Sequence, residues 1–124
     1  MHRDFLIQKV LRPEVREDTW RASIKNAFRY SLHESDDHIL LKFKRFHYWR
    51  RQGADVYTEL ILNKQNQGLR PDLVIVLDKS IFIEEIVCSE KEESIVKKRK
   101  TYPFKISVFN TKGVSLKTLS FLKP

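Results

Sequence analysis

Hydrophobic positions along the chain fall into two helical stretches, a block of strands, a further helix and a return to strand. Pro13 suits a first helical position and Glu14 and Glu17 favour a helix N-terminus. Trp20, Ile24, Ala27, Phe28, Ser31 and Leu32 then recur at a spacing of about 3.6 residues, predicting a helix from Pro13 that carries this stripe to Leu32. Ser35, Asp36, Asp37 and His38 supply an N-cap and an acidic first turn ahead of Ile39, Leu40, Phe43, Phe46, His47 and Trp49. With Gly53 as the stop, they predict a second helix from about Asp36 to Gln52.

After Gly53 the pattern becomes β-branched and aromatic. Val56 to Leu62 predicts a strand, closed by the polar stretch Asn63 to Gly68. Leu69 to Leu77 is a second strand, turned at Asp78 to Ser80 into a third, Ile81 to Cys88, and the short link makes these two antiparallel. Ser89 to Glu93 caps a helix running to about Thr101, and this crossover delivers a fourth strand, Phe104 to Phe109, parallel to an earlier one. Val114 to Leu122, after the turn Thr111-Lys112-Gly113, reads as an edge strand. The expected architecture is α/β with a mixed central sheet, ordered αβββαβ after an extra N-terminal helix. It is one domain, with a helical extension over 1–34, a core over 35–110 and a strand segment over 111–124.

The length of 124 residues allows one core. Lys+Arg number 24 against 16 Asp+Glu, a formal net charge of +8, which favours a polyanionic partner such as nucleic acid, although excess Lys also serves solubility. The second helix carries Lys42, Lys44, Arg45, Arg50 and Arg51 with no acid after Asp37. This basic, aromatic-rich stripe is either a phosphate-binding face or a solvated face with its aromatics turned to the core. Lone Cys88 excludes an internal disulfide and points to an intracellular, cytoplasmic protein. No signal-peptide core is apparent, and no run reaches the roughly 18 to 20 apolar residues of a membrane span, so a soluble chain without membrane contact is expected.

The second and third strands are almost continuously apolar, as in a sheet covered on both faces, yet contain Asp72, Glu84 and Glu85. Such carboxylates are costly to bury without partners. Alternation places Ile83, Glu85 and Val87 on one face and Phe82, Glu84 and Ile86 on the other. Asp72 and one Glu, facing each other across adjacent strands, are close enough to hold one ion, with Glu59 on the first strand completing the cluster. Glu85 is the preferred partner, and Glu84 takes its place if the register slips by one.

With Glu59, then Pro71-Asp72 after Gly68-Leu69-Arg70, then Ile83-Glu84-Glu85-Ile86-Val87, the chain resembles the PD-(D/E)xK nuclease superfamily of restriction-endonuclease-like fold, over roughly Ser35 to Asn110. The resemblance implies that Asp72, Glu85 and Glu59 bind Mg²⁺ or Mn²⁺ and that a Lys two residues after the strand-three acid assists the attacking water. That position is Val87 counted from Glu85 and Ile86 counted from Glu84. Some members place the Lys on the following helix, where Lys98, sharing a stripe with Ile95 and Tyr102, is preferred to Lys97; the same basic run also suits a solvated helix end.

The expected activity is therefore metal-dependent hydrolysis of DNA phosphodiesters. Glu59, Asp72, Glu85 and Lys98 would form the catalytic set, and Lys42, Lys44, Arg45, Arg50, Arg51 and Arg70 would hold the nucleic acid, in a protein that could pair as a homodimer. The alternatives are a nuclease fold that binds nucleic acid without cutting it, and an interaction subunit docking through Trp20, Phe28 and Tyr30. His38, opening the second helix, could touch a phosphate or assist proton transfer, although a lone His is more often an ordinary helix-start residue. His33 and His47 are assigned no chemistry.

Overall fold

The computed structural model describes residues 2–62, 69–87 and 103–110. The expected helix over 89–101 with Lys97 and Lys98, Cys88, the turn over 63–68 and the edge strand over 114–122 lie outside the described residues. Four strands, β1 (Asp55–Tyr57), β2 (Leu73–Leu77), β3 (Ser80–Val87) and β4 (Lys105–Asn110), form a sheet in the order β1-β2-β3-β4. The first two pairings are antiparallel and β3 with β4 is parallel, which gives the expected mixed α/β sheet. The β2–β3 hairpin closes on Asp78 and Lys79, with Asp78 at φ 53°, a left-handed conformation that Asp tolerates.

Each face is covered by a different helical element. At the N-terminus α1 (His2–Phe5) continues into a π-helical turn (Leu6–Leu11) and a 3-10 turn (Arg12–Glu14). Ile7 and Leu11 of this run, with Val15 just after it, pack on Val74, Val76, Ile83, Val87, Ile106 and Val108. On the opposite face Phe46 and Trp49 of the 16-residue helix α3 (Asp36–Arg51) pack on Ala54, Val56, Leu73 and Ile75. Burying apolar surface on both sides accounts for the unbroken hydrophobic runs in β2 and β3.

The expected helix from Pro13 to Leu32 is not formed. Pro13 sits in the 3-10 turn, α2 covers only Glu17–Ala22, and the chain then leaves helical geometry at Ser23, whose hydroxyl donates to Trp20 O at 2.6 Å. The competing attraction is the free edge of β1. Asn26, at φ 67°, donates its N–H to Val56 O at 2.8 Å, accepts from Val56 N at Oδ1 (2.7 Å), and so covers that edge. A longer helix has no apolar face to bury against, since Ile24 is 56% and Leu32 91% exposed. The first strand is also shorter than expected. It ends at Tyr57, and Glu59 lies beyond it at φ 63° in a turn, not on a strand beside Asp72.

Between α3 and the sheet the contact includes charge. Arg45 donates to Glu84 through Nε (3.1 Å) and Nη2 (3.0 Å), and Trp49 Nε1 donates to the same carboxylate at 2.7 Å. The guanidinium lies 4.6 Å from the Tyr48 ring centroid and 4.3 Å from that of Phe109. Burial pushes the Glu84 carboxyl up from its ordinary value, against the hydrogen bond and charge of Arg45 and the hydrogen bond of Trp49. Arg45→Met should therefore destabilise the protein by about 3–5 kcal/mol, because it leaves a buried, unpaired acid. The double variant Arg45→Met/Glu84→Gln, which removes the charge but keeps an acceptor for Trp49 Nε1, should recover most of that loss, and urea unfolding of the two variants measures both values.

Candidate functional site

The site is assembled from the start of α3 and the start of β2. Ser35 caps α3, its hydroxyl accepting from His38 N at 3.2 Å, and the two acids of the first turn complement the helix dipole. His38, Lys42, Arg45 and Trp49 follow at intervals of four, three and four residues, which puts them on one stripe turned toward the sheet. Lys42, 2% exposed, and Arg45 are buried on this stripe, not on the phosphate-binding face expected of them, because each has an acid to meet inside.

At the first turn of α3 the His38 ring lies between two carboxylates. Its Nδ1 is 2.7 Å from Glu34 Oε1, and its Nε2 is 3.2 Å from Asp72 Oδ1 and 3.1 Å from Ile86 O. Lys42 Nζ joins Glu34 Oε1 (3.3 Å) to Glu59 Oε1 (3.2 Å), and Arg70 Nη1 stands 3.5 Å from Glu59 Oε2. Glu59 is thus held by two cations.

Pro71 explains why Asp72 is there. The β2–β3 register, continued past Leu73↔Glu84, sets Asp72 opposite Glu85 and Pro71 opposite Ile86, where a residue without an N–H cannot extend the ladder. Side chains take over from the missing strand. Asp72 Oδ2 accepts from Ile86 N at 2.7 Å, and His38 Nε2 stands at Ile86 O, so both backbone groups are met. Glu85 is tied to the same corner, its Oε1 accepting from Asp72 N at 3.1 Å. The two adjacent acids separate as alternation requires, Glu84 toward α3 and Glu85 toward Asp72.

Glu34, His38 and Asp72 each offer one ligand atom, and these atoms lie within 4.8 Å of one another. An octahedral ion with bonds of about 2.1 Å needs adjacent ligand atoms about 3 Å apart and opposite ones about 4.2 Å apart, so the cluster could hold a metal ion. The ring can give one nitrogen to an ion while the other keeps a hydrogen bond that orients it. Of the expected ligands, the structure brings Asp72 into this cluster, sets Glu85 against its backbone and connects Glu59 to it through Lys42. Glu34 was not foreseen as a site residue. The signal for it is the run Glu34, His38, Lys42 at four-residue spacing, which continues the inward stripe one turn ahead of the helix. Of the expected nucleic-acid contacts, Lys44, Arg51 and Arg70 are exposed, and Arg50 donates to Ala54 O at 2.7 Å.

Among the described residues, no helix is long and apolar enough to cross a membrane. No curated protein and no solved structure matches the chain. A family model does, that of the nuclease-like domain of competence protein CoiA, over residues 34–108. The match begins at Glu34, spans α3 and all four strands up to Val108, and takes in every residue of the acid cluster. The chain, matched over three fifths of its length, belongs to the family of the CoiA nuclease-like domain.

Proposed function

We propose that this nuclease-like domain is a metal-dependent DNA endonuclease of PD-(D/E)xK type. The observation that carries the reading is the meeting of Asp72, which follows Pro71 at the start of β2, with His38 and Glu34 within 4.8 Å. A carboxylate beside an imidazole suits Mn²⁺ better than Mg²⁺, which prefers oxygen alone. Asp72 and His38 Nε2 would hold the ion, while the Glu34 carboxylate, 2.7 Å from Nδ1, keeps the ring in place. Once bound, the ion would supply a water of lowered pKa and a counter-charge for the phosphate.

The remaining roles fall to cations of the chain. Lys42 is fixed between Glu34 and Glu59, where its ammonium can orient a water or stabilise charge developing on a phosphate oxygen. In this proposal it fills the part for which Val87, buried in β3, has no side-chain chemistry. Lys98 remains a second candidate for the same part. Exposed Arg70 beside Glu59, with Lys44 and Arg51 on α3, would hold the backbone phosphates.

Cleavage of plasmid, linear or single-stranded DNA should require Mn²⁺ or Mg²⁺ and stop with EDTA. Asp72→Asn keeps an acceptor for Ile86 N–H, so it should fold like the wild type but lose activity by more than about a hundredfold. Glu34→Gln should weaken Mn²⁺ binding by about 10- to 100-fold in titration calorimetry. A wild-type protein that leaves DNA intact with both ions would instead be a binding module, the reading that Val87 favours.

Lys42→Met separates ion holding from rate. It should lower the cleavage rate by about a hundredfold. Mn²⁺ affinity should be unchanged or higher, because a competing cation beside Glu34 is gone. Single-turnover cleavage and Mn²⁺ titration on the same sample check both halves.

A further inference from the structure

Between Asp36 and Arg50 the outer face of α3 carries exposed apolar side chains, with Lys44 and Arg51 beside them. Leu40 is 60%, Phe43 47% and Tyr48 43% exposed, and Tyr30 stands 51% exposed nearby. Phe43 and His47, one turn apart, lie almost parallel, at an interplanar angle of 4° and a centroid distance of 5.9 Å. Their orientation is supported from beneath. Phe28, half-buried, meets Phe43 edge-on at 5.3 Å and 87°, meets Phe46 of the core at 5.4 Å, and lies 6.1 Å from Tyr30. The exposed rings are thus set by packing.

Two further observations say what covers this face. Lys44 and Arg51 flank the Phe43–His47 pair on the same side of the helix, at intervals of one and four residues, and have no ion-pair partner among the described residues. The chain as a whole carries a net charge of +8. An apolar protein partner would leave these two cations uncompensated, and duplex DNA would meet them with phosphates but leave the flat rings without bases to stack on. Unpaired bases on a phosphate backbone satisfy both requirements. The same cluster also reaches the metal-binding corner, because Lys42 Nζ lies 6.0 Å from the centroid of Phe28 and 3.3 Å from Glu34.

From this arrangement we infer that the outer face of α3 binds single-stranded DNA, stacking bases on Phe43 and His47 and holding phosphates with Lys44 and Arg51. The inference rests on the nuclease reading in taking this strand as the substrate of the Asp72 site. It implies that the site receives its phosphodiester from an unpaired strand.

The test is fluorescence anisotropy with labelled oligothymidylate of about 20 nucleotides, enough for one stacking surface of this kind, and with a duplex of equal length, both in EDTA. The wild type should bind oligothymidylate, more weakly as salt rises. Phe43→Ala should weaken that binding at least fivefold, the effect of losing about 1 kcal/mol of base stacking, and leave duplex binding unchanged. Phe43→Trp should restore affinity, with fluorescence beyond that of the wild type quenched on adding the oligonucleotide. Lys44→Ala/Arg51→Ala should weaken both ligands. Unchanged oligothymidylate affinity in a folded Phe43→Ala, or an equal loss on duplex, overturns the inference. So does a dimer of the wild type that Phe43→Ala dissociates without any oligothymidylate binding, which would make the face a contact between two copies. Since EDTA removes the ion, a protein that binds oligothymidylate through Phe43 yet cleaves nothing with Mn²⁺ loses the nuclease reading and keeps this one. A protein that cleaves duplex but is indifferent to Phe43 keeps only the nuclease reading.

Discussion

The arrangement depends on how one helix, rich in positive charge, lies against an apolar sheet. α3 presents His38, Lys42, Arg45 and Trp49 inward, and each finds an acid: Asp72 and Glu34, Glu34 and Glu59, Glu84, and Glu84 again. An apolar stripe alone lets a helix slide by a turn at small cost. A bidentate Arg–carboxylate pair with an indole N–H on the same oxygen does not. Glu84 thereby sets the position of α3 along β3, and with it the place where His38 meets Asp72. The ion pair is best regarded as a device for register, since a well-packed apolar substitute is often as stable.

The same constraint explains why the polar corner is built from residues distant in sequence. Glu34 and His38 arrive with the cap of α3, Asp72 with the proline break before β2, and Glu85 and Ile86 with β3. None of these elements is a loop lying over a finished core. The corner is where the two layers end, and its hydrogen bonds complete a ladder that the backbone leaves unfinished.

Much of this was legible in the chain. Ser35 to Gly53 marks α3 at both ends, the alternation through β3 separates Glu84 from Glu85, and the β2–β3 hairpin with its parallel neighbour β4 follows from link lengths. The site was partly legible, since Asp72 and Glu85 stand out as acids in apolar strands. What pattern alone misjudged were interactions with partners elsewhere in the chain. Asn26 gives up a helix to cover the edge of β1, a choice that periodicity over Trp20 to Leu32 cannot register. Lys42 and Arg45 look like surface charge until Glu34, Glu59 and Glu84 are set beside them. Glu34 was missed because it precedes the helix whose stripe it extends.

The corner around Ile86 has a consequence for how an ion would be held. Asp72 and His38 are already occupied, one closing the backbone N–H of Ile86 and the other standing at its carbonyl, while Lys42 neutralises Glu34. An incoming cation must displace some of these contacts, so its net affinity is the difference between coordination and the bonds it replaces. With these contacts made, such a corner differs from a structural zinc site, whose ligands are left repelling one another when empty. Occupancy would then follow the local concentration of cation and phosphate together. In the proposed nuclease the ion would then be an exchangeable co-substrate, gained with the nucleic acid and given up with the product.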